Sequence, residues 1–267
     1  MADTTINGIP IVSAARPSPR LRPLQAVHHF RRLVADKEST EHVFHIIGAL
    51  DGGHFRKLTR AAMTTEEGRR AAEARLDLIP YLDDHDALAR LPEGSLGQAY
   101  RSFMVREGLT ARGLEAEERK FQPKTYDDIL QWYSDRARDL HDLIHVLTGY
   151  TRGALGELSN LAWTYGMNRG GFGDLFIAFM GIVEMKSWVP KEPLFRVLRE
   201  ALRNGRAAGN LYTEDIEALF AMPLEDARAK LNIQPAPLYQ DVSARLTAMS
   251  RDKDDGKNLP YAPVANG

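Results

Sequence analysis

The 267-residue sequence contains no cysteine. This absence excludes a disulfide framework, a thiolate metal site and a cysteine nucleophile. Any metal that the protein binds must therefore be held by His, Asp or Glu side chains. The net charge is −1, so the chain has no overall basic field that would attract nucleic acid, and we expect no nucleic-acid partner.

Long apolar runs are also absent. The longest candidate, LFIAFMGIV at residues 175–183, is half the length of the roughly 18 apolar residues that a membrane-spanning helix needs. The N-terminal residues lack the apolar core of a secretory signal, and Asp3 and several prolines argue against an organelle-targeting peptide. We expect residues 1–22 to form a flexible arm.

Helical periodicity fills the middle of the chain, without strand alternation or an internal repeat. It predicts an all-α fold, with one bundle-like helical domain over residues 23–235. A short helix and a flexible tail are expected over residues 236–267. Thr64 with Glu67 and Ser95 with Gln98 read as capping boxes. The predicted helices cover residues 24–36, 41–50, 65–76, 96–108, 125–148, 153–165, 174–188, 193–205, 213–221 and 224–231.

The candidate site lies in RDLHDLIHVLTGYTRGALGELSN, residues 138–160. On a helix that begins at Thr125, His145 lies about 40° and Asp142 about 100° around the axis from His141. All three then share one arc at the rim of the core, with Asp142 further towards solvent. Two imidazoles four residues apart can bind one cation from the same helix face.

Glu157 would face about 160° away from His141 on one straight helix. If the chain reverses at GYTRG, residues 149–153, the next helix can return Glu157 to the two histidines. Gly149 is suited to end the first helix, and Thr151 to cap the second. Locally, the pattern leaves two interpretations open: a metal site, or polar side chains at the edge of an ordinary helix.

Four of the six remaining histidines form two further pairs. His42 and His45 have no nearby carboxylate in sequence except Glu41, and the adjacent His28 and His29 point about 100° apart on a helix. We interpret both pairs as structural.

Two segments bear on lipid contact. LFIAFMGIVEMKSW, residues 175–188, is apolar nearly all round, as expected of a core helix or a lipid-facing one. Arg196, Arg199, Arg203 and Arg206 then recur at steps of three and four. Such a basic stripe is typical of a solvated helix face or of a helix lying on an anionic bilayer.

The order His141-Asp142-x-x-His145, followed after eleven residues by Glu157, resembles the signature of the Coq4 family of ubiquinone (coenzyme Q) biosynthesis. The resemblance extends beyond the motif to several ordered blocks. These are residues 22–53, LPEGSLGQAYRSFM at 91–104, NGRAAGNLY at 204–212 and EDARAKLNI at 225–233.

The resemblance implies a helical, membrane-associated protein that acts on a polyprenylated aromatic headgroup by oxidative decarboxylation and hydroxylation at carbon one. It also implies that His141, Asp142, His145 and Glu157 are catalytic and bind a divalent metal, usually zinc. Zinc has no redox chemistry, so iron and manganese remain alternatives for the metal. Asp142 could instead act as a base or orient one of the histidines as a hydrogen-bond partner. The alternative function is a non-catalytic scaffold that binds prenyl lipids.

The partners implied are a prenylated quinone precursor or other lipid, other quinone-biosynthesis enzymes, a membrane surface and a second copy in a homodimer. The expected location is peripheral, on the cytoplasmic side of a bacterial inner membrane or the matrix side of the mitochondrial inner membrane. After Glu157 this chain lacks the Lys-Trp pair typical of the family, and Trp163 is shifted. Substrate identity therefore stays open.

Overall fold

The computed structural model describes residues 4–36, 40–122 and 124–251, which contain sixteen α-helices, one 3-10 helix (Leu211–Thr213) and one short β-hairpin. The predicted all-α fold is confirmed, because the helices surround a common hydrophobic core. The helices are α1 (Pro23–Ala35), α2 (Thr40–Leu50), α3 (His54–Ala62), α4 (Glu66–Ala74), α5 (Ile79–Leu82), α6 (His85–Ala89), α7 (Leu96–Glu107), α8 (Ala111–Phe121), α9 (Ile129–Asp139), α10 (His141–Thr148), α11 (Ala154–Met167), α12 (Phe172–Trp188), α13 (Leu194–Ala207), α14 (Ile216–Ala221), α15 (Leu224–Lys230) and α16 (Pro237–Arg251).

The described part of the expected N-terminal arm folds back onto the helices. Strands β1 (Thr5–Ile6) and β2 (Ile9–Pro10) pair antiparallel. Asn7 and Gly8 connect them with φ of 48° and 79°. An Asn-Gly pair with positive φ at both positions is the preferred two-residue hairpin turn. Ile6 and Ile11 are buried in the core, which anchors a segment that the prolines had suggested would be flexible.

Asp128 ties this segment to the helical body. Its carboxylate accepts hydrogen bonds from the Ser13 backbone N–H (2.8 Å) and from Arg16 Nε (2.6 Å). It also accepts from the Gln131 N–H (2.8 Å), which makes it the N-cap of α9. Burial would raise the pKa of the Asp128 carboxyl, but these donors hold the pKa below its usual range. The helix predicted to begin at Thr125 therefore begins after Asp128.

The single helix predicted over residues 125–148 is two helices. Leu140, fully buried, has φ −89° and ψ 5° and separates α9 from α10. Because α10 is offset from α9, a helical wheel drawn through both misplaces the motif residues relative to the core. The prediction that Asp142 points towards solvent is wrong: Asp142 is 8% exposed, and His141 is the more exposed side chain.

The two predicted capping boxes differ in outcome. Ser95 caps α7 as expected, its hydroxyl accepting from the Gln98 N–H at 3.3 Å. The cap of α4 is Thr65, which accepts from the Gly68 N–H at 3.1 Å. The predicted Thr64 instead donates its hydroxyl to a carbonyl at the end of α3, so it closes one helix while Thr65 opens the next.

The expected C-terminal helix is α16, and the predicted tail beyond residue 251 lies outside the described residues. Tyr239 and Val242 are buried. The Glu200 carboxylate of α13 accepts from the N–H groups of Leu238 (3.3 Å) and Tyr239 (3.0 Å) in the first turn of α16. This contact holds α16 against α13.

Helices α11 and α13 cross with almost no space between their backbones. A Cβ on Gly205 would lie 2.0 Å from the Trp163 carbonyl oxygen. A Cβ on Gly166 would lie 2.4 Å from the Leu202 carbonyl oxygen. Glycine at both positions therefore sets the helix separation, and with it the position of α11.

Gly205→Ala is expected to destabilise the protein by about 2–4 kcal/mol, because the added methyl group forces two backbones apart in a packed core. The matched control is Gly48→Ala in α2, where an added Cβ has nothing within 4 Å. That change should stabilise by about 0.5–1 kcal/mol through helix propensity. Urea unfolding measures both, and equal effects would contradict the close crossing.

Candidate metal centre

The chain reverses between α10 and α11, as the sequence predicted. Gly149 ends α10 with φ 75°. Gly153, rather than the predicted Thr151, is the N-cap of α11; the Thr151 N–H instead donates to the Tyr239 hydroxyl at 2.8 Å. A Cβ on Gly156 would lie 1.7 Å from the Thr151 carbonyl oxygen, so a glycine is needed where α11 rests on the loop.

The reversal brings three of the four motif side chains together. Glu157 Oε2 lies 3.6 Å from His141 Nε2 and 3.3 Å from His145 Nε2. One donor atom from each residue lies within 4.8 Å of the other two. In a tetrahedral site with bonds of about 2.0–2.1 Å, ligand atoms are about 3.3–3.4 Å apart. The spacing of these donors fits a divalent metal.

His145 gives a second test of the fit. Its Nδ1 lies 3.0 Å from the Tyr150 carbonyl oxygen, which can only accept, so Nδ1 carries the proton. In a neutral ring, Nε2 then bears a lone pair, and this buried atom faces Glu157 Oε2 at 3.3 Å. These two groups repel each other unless a proton or a metal ion lies between them, so the arrangement can accept either. The carbonyl that orients the ring is the partner typical of a metal-binding histidine.

The two partly exposed members of the group stabilise each other's charge. Burial lowers the pKa of His141, but the Glu157 carboxylate outweighs it and the net pKa is raised. Burial raises the pKa of Glu157, but His145 and His141 outweigh it and hold the pKa well below its usual range. The carboxylate therefore stays ionised, as a metal ligand must be.

Asp142, the fourth predicted ligand, is outside this donor group. Asp142 is buried, and its charge adds to the larger effect of burial in raising the pKa of the Tyr100 hydroxyl. It also favours the charged form of His141. Asp142 follows His141 directly in α10 but is not one of the three converging residues. Its role as a metal ligand stays a prediction.

Asp174 is a candidate that the sequence did not single out. It lies in the first turn of α12 and interacts electrostatically with His141. Burial raises its pKa to about 7, an effect that His141 opposes and Asp51 reinforces. The only signal in the sequence is an isolated aspartate after a glycine-rich segment, and such residues are common in loops.

Comparison with known proteins supports the motif. A family model described as "Coenzyme Q (ubiquinone) biosynthesis protein Coq4" matches residues 33–237, most of the chain. The chain belongs to the Coq4 family. It is a ubiquinone biosynthesis protein, and the Coq4 match includes α10 and α11 with the three donors.

Individual Coq4 relatives are moderately similar. A mitochondrial ubiquinone biosynthesis protein COQ4 homolog from Rattus norvegicus is 28% identical over 195 residues, which are 73% of this chain and 71% of the relative. The Aedes aegypti homolog is 29% identical over 171 residues, 64% of this chain and 60% of the relative. A solved structure from Nostoc punctiforme shares the fold, with TM-score 0.60 and 19% identity over 80% of this chain and 100% of that one.

Proposed function

We propose that this Coq4 protein is a metal-dependent enzyme that removes the ring carboxylate of a polyprenylated aromatic headgroup and hydroxylates carbon one. The observation that carries the proposal is the convergence of His141, His145 and Glu157, with one donor atom from each within 4.8 Å of the others. A bound divalent ion would supply Lewis-acid polarisation of a carboxylate or phenol, and a redox-active ion would also supply oxygen chemistry.

The chain's own residues have separable roles in this proposal. His141, His145 and Glu157 hold the ion at the junction of α10 and α11. Asp174, with a pKa raised to about 7, can hold or release a proton near neutral pH. The negative charge of Asp142, on the same helix, raises the pKa of His141.

A route for a prenylated substrate is suggested by α12. One side of this helix is buried, through Ile177 and Ile182, while Phe172 (56% exposed) and Phe179 (47%) face outward. The segment was predicted to be either a core helix or a lipid-facing helix. Its buried face fits the first prediction, and its exposed aromatic face is suited to the second. A Cβ on Gly181 would lie 2.5 Å from the Leu158 side chain, so α12 packs closely on the helix that carries Glu157.

A basic surface adjoins these aromatic side chains. The predicted stripe of Arg196, Arg199, Arg203 and Arg206 is exposed along α13. The half-exposed Phe195 at its start lies 5.7 Å from the Phe179 ring. No helix within the described ranges is both long and apolar enough to cross a bilayer. We infer peripheral attachment, with aromatic rings in the interface and arginines on anionic headgroups.

The names of the curated relatives place them in mitochondria. That supports the matrix side of the mitochondrial inner membrane as the location, or the equivalent cytoplasmic side of a bacterial inner membrane. A homodimer and contacts with other quinone-biosynthesis enzymes stay predictions.

Arg196→Gln with Arg199→Gln is expected to weaken binding to anionic vesicles by about 30-fold, since each basic residue near the surface contributes about 1 kcal/mol. Vesicle co-sedimentation at several salt concentrations measures this, and the difference should shrink as salt screens the charges. The control is Arg60→Gln with Arg90→Gln, two exposed arginines elsewhere. Equal loss in both pairs would argue against a docking face on α13.

The proposed chemistry is tested with purified chain, the chosen metal and a prenylated hydroxybenzoate in vesicles. The overall change needs dioxygen and two electrons, so a reductant is included. Mass spectrometry should show loss of the carboxyl carbon and gain of a hydroxyl, absent with Glu157→Gln. Co-purifying prenyl lipid without turnover, under every metal tried, would favour the scaffold.

A further inference from the structure

A second cluster of histidines lies on α1 and α2, and it shares no residue with the His141–Glu157 motif. The ring nitrogens His29 Nδ1 and His42 Nδ1 face each other at 3.3 Å across the two helices. The His45 ring stacks on His29 with centroids 4.3 Å apart. Glu41 Oε1 lies 3.6 Å from His45 Nε2. The sequence interpretation of these histidines as two separate structural pairs did not anticipate that they meet.

The facing nitrogens restrict the protonation of the pair. In a hydrogen bond between two ring nitrogens one must donate and the other must accept, so both rings cannot be fully protonated in this arrangement. Burial, followed by the charges of His45, His42 and His28, lowers the pKa of His29, while Glu41 raises it. From α8, the neighbouring ring is Phe121, 5.7 Å from His45. At least one of the two facing nitrogens therefore carries a lone pair, which is the form in which an imidazole nitrogen binds a metal.

The distance between these nitrogens also fits a metal ion. Two ligands with bonds of about 2.0–2.1 Å in a tetrahedral site are about 3.3–3.4 Å apart. His29 and His42 lie on different helices, so one ion would bridge α1 and α2. His29 is partly exposed, which leaves a path for the ion, while His42 is buried, which restricts its ring.

We propose that His29 and His42 bind a divalent ion of the zinc, nickel and copper class through their Nδ1 atoms. Imidazole suits these ions, and softer thiolate ligands are absent from the chain. His45 is the nearest further imidazole, and water can fill the remaining positions. This site is separate from the α10–α11 donors and does not depend on the proposed function.

The site would stabilise the pairing of α1 with α2, on which α12 rests. A Cβ on Gly173 of α12 would lie 2.5 Å from Ile47 Cα of α2. An ion that fixes α2 therefore supports the helix that carries the exposed aromatic residues.

The test is a Zn²⁺ titration of metal-stripped, untagged full chain against a chromogenic chelator. It is done in a Glu157→Gln background, which weakens the first site. We expect about one zinc bound in that background. Adding His29→Ala or His42→Ala should weaken the remaining site by roughly tenfold or more, as expected for loss of a ligand. Zinc should also raise the thermal midpoint of Glu157→Gln, and not that of the double variants.

The matched control is His28→Ala in the same background, since His28 is an exposed histidine on the same helix. Its zinc affinity should stay within about twofold. Circular dichroism checks that each variant is folded, and the partly exposed His29 serves if the buried His42→Ala variant is not. Unchanged zinc binding by the folded His29→Ala double variant, or no zinc bound by Glu157→Gln alone, would overturn the proposal.

Discussion

A strain that lacks its own Coq4 protein and receives Glu157→Ala is expected to contain roughly tenfold less ubiquinone, or lower still, than one that receives the unchanged chain. The expectation follows because Glu157 supplies the only carboxylate oxygen in the donor group and the only donor from α11. Without Glu157, only the two imidazoles of α10 remain as donors. The site also loses the negative charge that would balance a bound cation. Quinone extraction with mass spectrometry measures the level.

The matched control is Glu93→Ala, an exposed glutamate in the loop before α7. It should support normal ubiquinone levels. Immunoblotting confirms that both variants accumulate equally. Full ubiquinone synthesis by Glu157→Ala, and equally by His141→Ala, would contradict the proposed catalytic function.

Removal of bound metal is expected to lower the thermal midpoint of the unchanged chain by roughly 10 °C. A ligand at about a thousandfold above its dissociation constant stabilises the folded state by about 4 kcal/mol. In a protein of this size each kcal/mol shifts the midpoint by about 2–4 °C. The ion would join α10 to α11, and the glycine contact between α11 and α13 would extend that stabilisation.

Differential scanning calorimetry with and without a chelator measures this shift. Glu157→Gln is the comparison, because it is nearly isosteric but carries no negative charge. Its response to chelator should be smaller by several degrees, since only the proposed α1–α2 site would still hold an ion. Equal shifts in both proteins would show that the three donors do not bind the ion responsible.

The fold class and the convergence of the site could be predicted from sequence because both depend on local signals. Helical periodicity defined most long helices, including α1, α2, α12 and α13. Glycines predicted the reversal that returns Glu157 to the histidines. The motif spacing identified the family, which the family match confirmed.

Errors arose where tertiary contacts override local pattern. The break at Leu140 has no glycine or proline to mark it, so the wheel placed Asp142 in solvent. The N-terminal hairpin was hidden by prolines, although Asn7-Gly8 was a usable signal. Helices α3 and α8 were missed although both are amphipathic, because charged residues are frequent in both segments.

The meeting of side chains distant in sequence could not be predicted at all. Asp174 approaches His141 only because α12 packs against α11. His29 meets His42 only because α1 packs against α2. Such contacts depend on helix packing angles, which periodicity does not determine.

The most direct test of the account is the metal content of chain purified without added chelator. Inductively coupled plasma mass spectrometry would compare the unchanged protein with Glu157→Gln, expressed and purified identically. The account predicts that Glu157→Gln loses about one equivalent of divalent metal per chain. Equal metal content in the two folded proteins would contradict the claim that Glu157, His141 and His145 form a metal site.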